Sequence, residues 1–153
     1  MADLNTLAQQ VIESEFDYLT GTDRICQKTT IENWFRYNLG LLNTHLFTCY
    51  SGESPEWGLE EQAIYKAMYL SSFYGQEAKK VLRNMNSNTL EWLTLKEGDS
   101  QITLQNKNEV AKTYRGLASE MTEEVNRLVQ NYRLYQVNPT DVSVSVSTFD
   151  GFE

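Results

Sequence analysis

Few side chains in this 153-residue chain have types and spacings suited to chemistry. The single histidine, His45, lies four residues before Cys49, so a helix through both puts them on one face, where together with Cys26 they can begin a zinc site. Structural zinc uses four ligands at recognisable spacings, however, and the sequence has no CxxC pair. We therefore interpret His45 as a partly buried histidine and both cysteines as small core residues.

Other candidate catalytic groups are equally sparse. A histidine–cysteine nucleophile pair at His45 and Cys49 has no third residue nominated to orient it. The acid pairs Glu60-Glu61 and Glu123-Glu124 fall on amphipathic helices, where adjacent carboxylates mostly form the solvated face. Gly98 stands alone, without the glycine-rich loop that cradles a phosphate. We predict that the protein is not an enzyme and uses no cofactor or metal.

Composition and charge narrow the class of protein. A hydrophobic content of 41% and a charged content of 22% predict one folded domain with its own core. The formal charge of −8 is uneven, because residues 1–23 hold five acids and no base and the residues after Arg133 hold three acids and no base. The stretch between carries 13 bases and 13 acids. Since no stripe of lysine and arginine appears, we expect neither duplex DNA nor other free nucleic acid as a partner.

The sequence also indicates the cellular compartment in which the protein folds. Its apolar runs are far shorter than the roughly 20 residues that cross a bilayer, and its first residues lack the pattern of an export signal. Two cysteines do not form a disulfide framework in a chain of this size. We expect a soluble protein in a reducing compartment, with no membrane partner.

Hydrophobic periodicity predicts a mainly α-helical bundle of about four helices. The first runs from Leu4 to about Leu19, and the second begins near Thr29 or Thr30 as its cap and ends near Tyr50. In the third, Ser54 reads as an N-cap with proline in the first turn, and the helix ends near Arg83. The fourth begins at Asn106 and continues for seven turns.

A different period precedes and follows the fourth helix. Alternating apolar residues on both sides of a turn at Gly98 predict a short β-hairpin near residues 92–105. After a helical domain of residues 1–136, the segment 137–153 is an extended, β-prone tail with alternating valines and serines. An alternating segment of this kind can add a strand to a sheet edge of another chain, or fold back onto its own hairpin. Its candidate docking residues are Val142, Val144, Val146, Phe149 and Phe152.

The third helix carries apolar residues on two faces. Ile64, Met68 and Ala78 belong to one face, whereas aromatic residues form a stripe on the opposite side. Such a helix is buried on both sides, either by its own domain or by a neighbouring subunit. The aromatic stripe, a candidate subunit interface, consists of Tyr65, Tyr69 and Phe73.

The order of these elements is similar to that of a known family. The helices, the hairpin sequence LKEGDSQI at residues 95–102 and the closing helix ending YRLY at residues 132–135 resemble the head-to-tail connector, or adaptor, proteins of tailed bacteriophages. The likeness is best over residues 90–135. The earlier helices contain no motif that aligns with the family, and the extension after Tyr135 is not a fixed feature of it.

The resemblance implies a structural virion protein without catalytic activity. Such subunits assemble in the bacterial host cytoplasm into a ring, usually of twelve, in the virion neck between head and tail. The ring binds beneath the portal protein, contacts other neck or tail proteins and continues the channel through which genomic DNA passes. On this expectation the tail docks on the portal or on a neck protein.

The sequence is compatible with three alternatives to a connector protein. One is another phage neck or tail-completion protein lower in the neck. The second is an acidic helical regulatory module, whose charged ends bind a basic partner with an affinity that falls as salt screens the charges. The third is a small metal-dependent enzyme built around His45 and Cys49.

Overall fold

The computed structural model describes residues 3–85, 95–97, 100–102 and 107–137. Within these residues the chain is mainly helical, which confirms the predicted class and the number of about four helices. The helices are α1 (Leu4–Glu15), α2 (Gly21–Leu46), α3 (Leu59–Met85) and α4 (Lys107–Val137).

Two short strands lie between α3 and α4. Strand β1 (Leu95–Glu97) pairs antiparallel with β2 (Ser100–Ile102), and Leu95 is opposite Ile102. Apart from these two strands, the predicted hairpin at 92–105 lies outside the described residues, including Gly98, so the complete hairpin stays a prediction. The tail from residue 138 onward also lies outside them.

Helix α1 is capped at its first turn and tied to a distant loop. The Asp3 carboxylate accepts a hydrogen bond from the backbone N–H of Thr6 at 2.6 Å, and the interaction with Thr6 lowers the pKa of Asp3. The backbone N–H of Leu4 donates to the carbonyl of Glu53 at 3.1 Å. The helix ends at Glu15, four residues before the predicted end at Leu19, and Phe16 closes it as a buried C-cap.

Helix α2 begins eight or nine residues before the predicted caps. It starts at Gly21, which has a positive φ of 57° that glycine adopts without a steric penalty. The hydroxyls of Thr29 and Thr30 donate to the carbonyls of Ile25 and Cys26, four residues earlier, at 3.0 and 2.9 Å. Both threonines are therefore interior helical residues, and the prediction that they cap the helix is wrong.

Helix α3 begins four residues after the predicted first turn at Pro55. Pro55 is buried in the preceding loop, where its carbonyl accepts a hydrogen bond from the backbone N–H of Trp57 at 3.1 Å. The backbone N–H of Gly58 donates to the Glu61 carboxylate at 2.9 Å, which is the arrangement of half a capping box. Gly58 rather than Ser54 therefore precedes the helix.

Among the described helices, α3 and α4 run antiparallel and share the most extensive contact. The hydroxyls of Ser71 and Thr122 lie 2.8 Å apart, and the rings of Tyr74 and Tyr114 stack with centroids 6.5 Å apart. Residues farther along α3 therefore contact residues nearer the start of α4. Among the described helices none is long and apolar enough to cross a membrane.

The core lies where α1 and α2 meet the first half of α3. The rings of Phe35 and Tyr65 are 4.8 Å apart at their centroids, and the Tyr65 hydroxyl donates to the Phe35 carbonyl. Trp34 packs edge-on against Tyr69 at 5.4 Å. Burial of these large side chains contributes to the hydrophobic stabilisation of the domain.

Two adjacent leucines on α2 test this core. Leu42 is fully buried, whereas Leu41 is 49% exposed. We expect Leu42→Ala to lower the free energy of unfolding by about 2–5 kcal/mol through lost burial and a residual cavity. The matched control Leu41→Ala should cost less than about 1 kcal/mol. Urea denaturation measures both, and equal losses would contradict the packing described here.

Candidate interaction surface

The aromatic stripe on α3 belongs mainly to the core. Tyr65 and Tyr69 are buried within the single chain by Phe35, Trp34 and neighbouring side chains. Their rings are therefore not available to a neighbouring subunit, which corrects the interpretation of these two residues as an interface. Phe73 is half-buried and lines a surface cavity of about 240 Å³ with Phe16 and Tyr18, among others.

The thiols and the histidine are not arranged as expected. Cys26 and Cys49 are exposed free cysteines, so the prediction that they are small core residues is wrong. His45 is also exposed, near the end of α2. In the described part of the chain no group of three or more His, Cys, Asp and Glu side chains is placed to hold a metal ion.

The two acid pairs have different surroundings. Glu123 is exposed, and Glu124 accepts two hydrogen bonds from Arg127 at 2.9 and 2.5 Å, which lower the pKa of the Glu124 carboxyl. Glu60 is exposed, but Glu61 is half-buried and points into the protein. Only one member of the Glu60-Glu61 pair is therefore part of the solvated face that the sequence indicates.

Glu61 connects three segments of the chain. Its Oε1 atom accepts hydrogen bonds from the hydroxyls of Tyr132 at 2.9 Å and Tyr50 at 3.2 Å, while Oε2 accepts from the Gly58 backbone N–H at 2.9 Å. Burial, followed by the negative charge of Glu61, raises the pKa of Tyr50. Burial and the hydrogen bond to Glu61 raise the pKa of Tyr132. Both tyrosines therefore stay neutral donors to the carboxylate, and the start of α3 is held against the last turns of α4.

A second set of contacts fixes the same end of the bundle. The guanidinium of Arg133 donates to the His45 carbonyl at 2.8 Å and lies over the Phe47 ring, 4.8 Å from its centroid. Phe47 has a left-handed backbone with φ 57° as the C-cap of α2. Bulky residues rarely adopt that conformation, so the surrounding contacts must hold it in place.

Apolar side chains remain exposed at this end of the molecule. We call them the apolar collar, and each belongs to the end of α2, the start of α3 or the last turns of α4. The collar consists of Phe47, Leu59, Leu134 and Tyr135. Several large apolar side chains exposed at one end of a soluble protein make that end a candidate interaction site.

A groove runs beside the collar between the start of α3 and the end of α4. We call it the α3/α4 groove, and its volume is about 370 Å³. Its walls are mostly apolar, and Glu60 and Asn131 add the polar groups. The apolar lining residues are Leu59, Ala63, Ile64, Leu128, Tyr132 and Tyr135.

The predicted docking residues of the tail lie outside the described residues. These are Val142, Val144, Val146, Phe149 and Phe152. Helix α4 ends at Val137, two residues after Tyr135. The chain therefore leaves the helix directly beside the collar and the groove.

No protein-family model, curated protein or solved structure matches this chain.

Removal of one hydroxyl tests the Glu61 network. We expect Tyr132→Phe to lower the free energy of unfolding by about 1 kcal/mol, because the half-buried carboxylate loses a donor. Tyr135→Phe is the matched control, since that side chain is largely exposed on the same helix and should change stability very little. Equal urea midpoints for Tyr132→Phe and the wild type would contradict a stabilising role.

The buried tyrosines predict loss of stability in alkali. Burial raises the pKa of Tyr69 to about 12 and also raises that of Tyr65. Because the folded state holds these protons more tightly than the unfolded state, their contribution is complete below about pH 10 and is lost as the pH rises through about 12. The urea midpoint should fall between about pH 9 and about pH 11. The urea midpoint of Tyr69→Phe should fall less steeply over this pH range than that of the wild type. Identical pH profiles of the two proteins would exclude Tyr69 as a cause of the lost stability.

Proposed function

We propose that this protein is a structural head-to-tail connector of a tailed bacteriophage, which binds beneath the portal and continues the DNA channel toward the tail. The observation that carries the proposal is the apolar collar, at the end of the bundle where α4 ends and the tail begins. A protein that exposes apolar surface where an extended segment also leaves the fold has two means of holding a partner.

Hydrogen bonds hold together the helix ends that carry the collar. Glu61 fixes Tyr132, one helical turn before the collar residue Tyr135, and Arg133 joins the end of α4 to the end of α2. Leu59 follows directly after Gly58, whose N–H the same carboxylate binds. These contacts order the backbone that carries the collar, so less conformational entropy is lost on binding.

The family resemblance supports the particular class of assembly. Residues 90–135 resemble the hairpin and closing helix of connector proteins, and the mainly helical fold is compatible with them. On this proposal the protein is located in the virion neck, forms a ring of about twelve subunits as the resemblance implies, and lets DNA pass without sequence-specific binding.

Burial of Tyr65 and Tyr69 moves the proposed ring contact to other residues. Helix α2 exposes Tyr37 and Leu41, which are four residues apart and therefore on one face. We assign contact between ring neighbours to this face of α2. The collar and the tail residues Val142, Val144, Val146, Phe149 and Phe152 then contact the portal or a neck protein, with the complete hairpin and an extended tail as part of the proposed fold.

The acidic ends of the chain favour a second candidate. Residues 1–23 and the residues after Arg133 together carry eight acids and no base. This excess of negative charge suits a regulatory module that binds a basic partner. Binding through these charges would weaken steeply as salt rises, whereas apolar docking would weaken far less. Salt dependence of binding therefore distinguishes the two candidates.

A pair of isomeric apolar residues tests the proposal. Leu134 in the collar and Ile25 near the start of α2 are both 66% exposed, and α2 separates Ile25 from the collar by roughly 30 Å. We expect the wild type and Ile25→Ser to bind the portal complex of the same phage with equal affinity, measured by sedimentation and electron microscopy. Leu134→Ser should bind about tenfold more weakly, as expected for a residue central to an interface.

The same experiment can refute the proposal. A wild-type protein that binds neither the portal nor any neck component would exclude a connector. Binding to a lower neck component alone would favour a tail-completion protein. Equal affinities of Leu134→Ser and Ile25→Ser would exclude the collar as the contact surface.

A further inference from the structure

We propose that the α3/α4 groove receives the chain's own C-terminal segment, with the valines of residues 142–146 packed against its apolar walls. The groove, the collar and the point where the chain leaves α4 lie at one end of the bundle. The inference concerns the isolated chain and does not depend on the connector function.

The dimensions and chemistry of the groove suit a short extended segment. Its α4 wall runs from Leu128 to Tyr135, seven helical steps that span roughly 10 Å. Alternate side chains of an extended strand are separated by about 7 Å, so two of them fit along that wall. Val142, Val144 and Val146 alternate with serines, so one apolar face can contact the groove while the hydroxyls face water.

The tail is long enough to reach the groove from its own helix. Five residues lead from Val137 to Val142 and span up to about 17 Å when extended. The segment must turn back, because the groove lies alongside α4 rather than beyond its end. Asn138-Pro139 directly follows the helix, and this dipeptide ends helices and favours turns.

The size of the contact favours the same chain over a second copy. A groove that holds a few side chains buries far less than the roughly 1,200 Å² typical of stable association between separate proteins. A tethered segment needs much less, since a short linker gives it an effective concentration in the millimolar range. The exposed Leu59, 83% accessible in the described structure, then gains a partner.

Docking of the tail in the α3/α4 groove would cover apolar surface of the free subunit. The tail would shield Leu59 and Tyr135 from water and from other chains until a partner competes for the tail. A partner that binds the tail would then uncover Leu59 and Tyr135 in one step.

A cysteine scan tests the position of the tail. Cys26 and Cys49 are exposed and can be replaced by serine without loss of core packing. In that background Leu59→Cys is combined with one cysteine at each position from 142 to 147, and the rate of disulfide formation is measured on non-reducing gels. Because a disulfide requires Cα atoms within about 7 Å and Cβ atoms directed at each other, a docked strand should react with a period of two residues.

We expect one even position to react about tenfold faster than the odd positions on either side of it, within one chain and at a rate that does not change on dilution. Val144→Cys and Ser145→Cys are the closest matched pair, since they differ by one residue of tether. Equal rates at odd and even positions would overturn the proposal. Alternating rates with only interchain disulfides would also overturn it, because a second copy would then occupy the groove. Circular dichroism confirms that each variant is folded.

Discussion

The carboxylate of Glu61 is the point on which one end of this structure depends. A half-buried carboxylate needs donors, and here the hydroxyls of Tyr50 and Tyr132 and the N–H of Gly58 supply them. These donors come from the loop after α2, from α4 and from the start of α3. One carboxylate therefore links the start of α3 to the last turns of α4, at the end of the bundle where the groove and the collar lie.

The central position of α3 explains its two apolar faces. Tyr65 and Tyr69 pack toward Phe35 and Trp34 of α2, whereas Ser71 and Tyr74 contact α4. Periodicity was sufficient to predict that the helix is covered on both sides. It could not predict the source of the cover, because a helix of the same chain and a helix of a neighbouring subunit bury an aromatic ring by the same physics.

Helix boundaries and the Glu61 network were harder to predict for a related reason. A threonine hydroxyl can cap a helix or bond to the carbonyl four residues back, and at Thr29 and Thr30 the second option is realised. The spacing of Gly58 and Glu61 was a local signal of a capping contact. The tyrosine partners lie 11 and 71 residues from Glu61, however, so no local pattern could identify them.

Charge and apolar residues are distributed differently in the helical body and in the chain beyond Arg133. The neutral stretch between Arg24 and Arg133 forms most of the helical body, and Arg133, its last base, is engaged by Phe47 and the His45 carbonyl. Beyond Arg133 the chain has apolar and acidic residues but no cation. The tail's three acids can pair only with cations earlier in the chain, whereas the proposed docking of its valines rests on apolar burial, which salt screens far less than a charged contact.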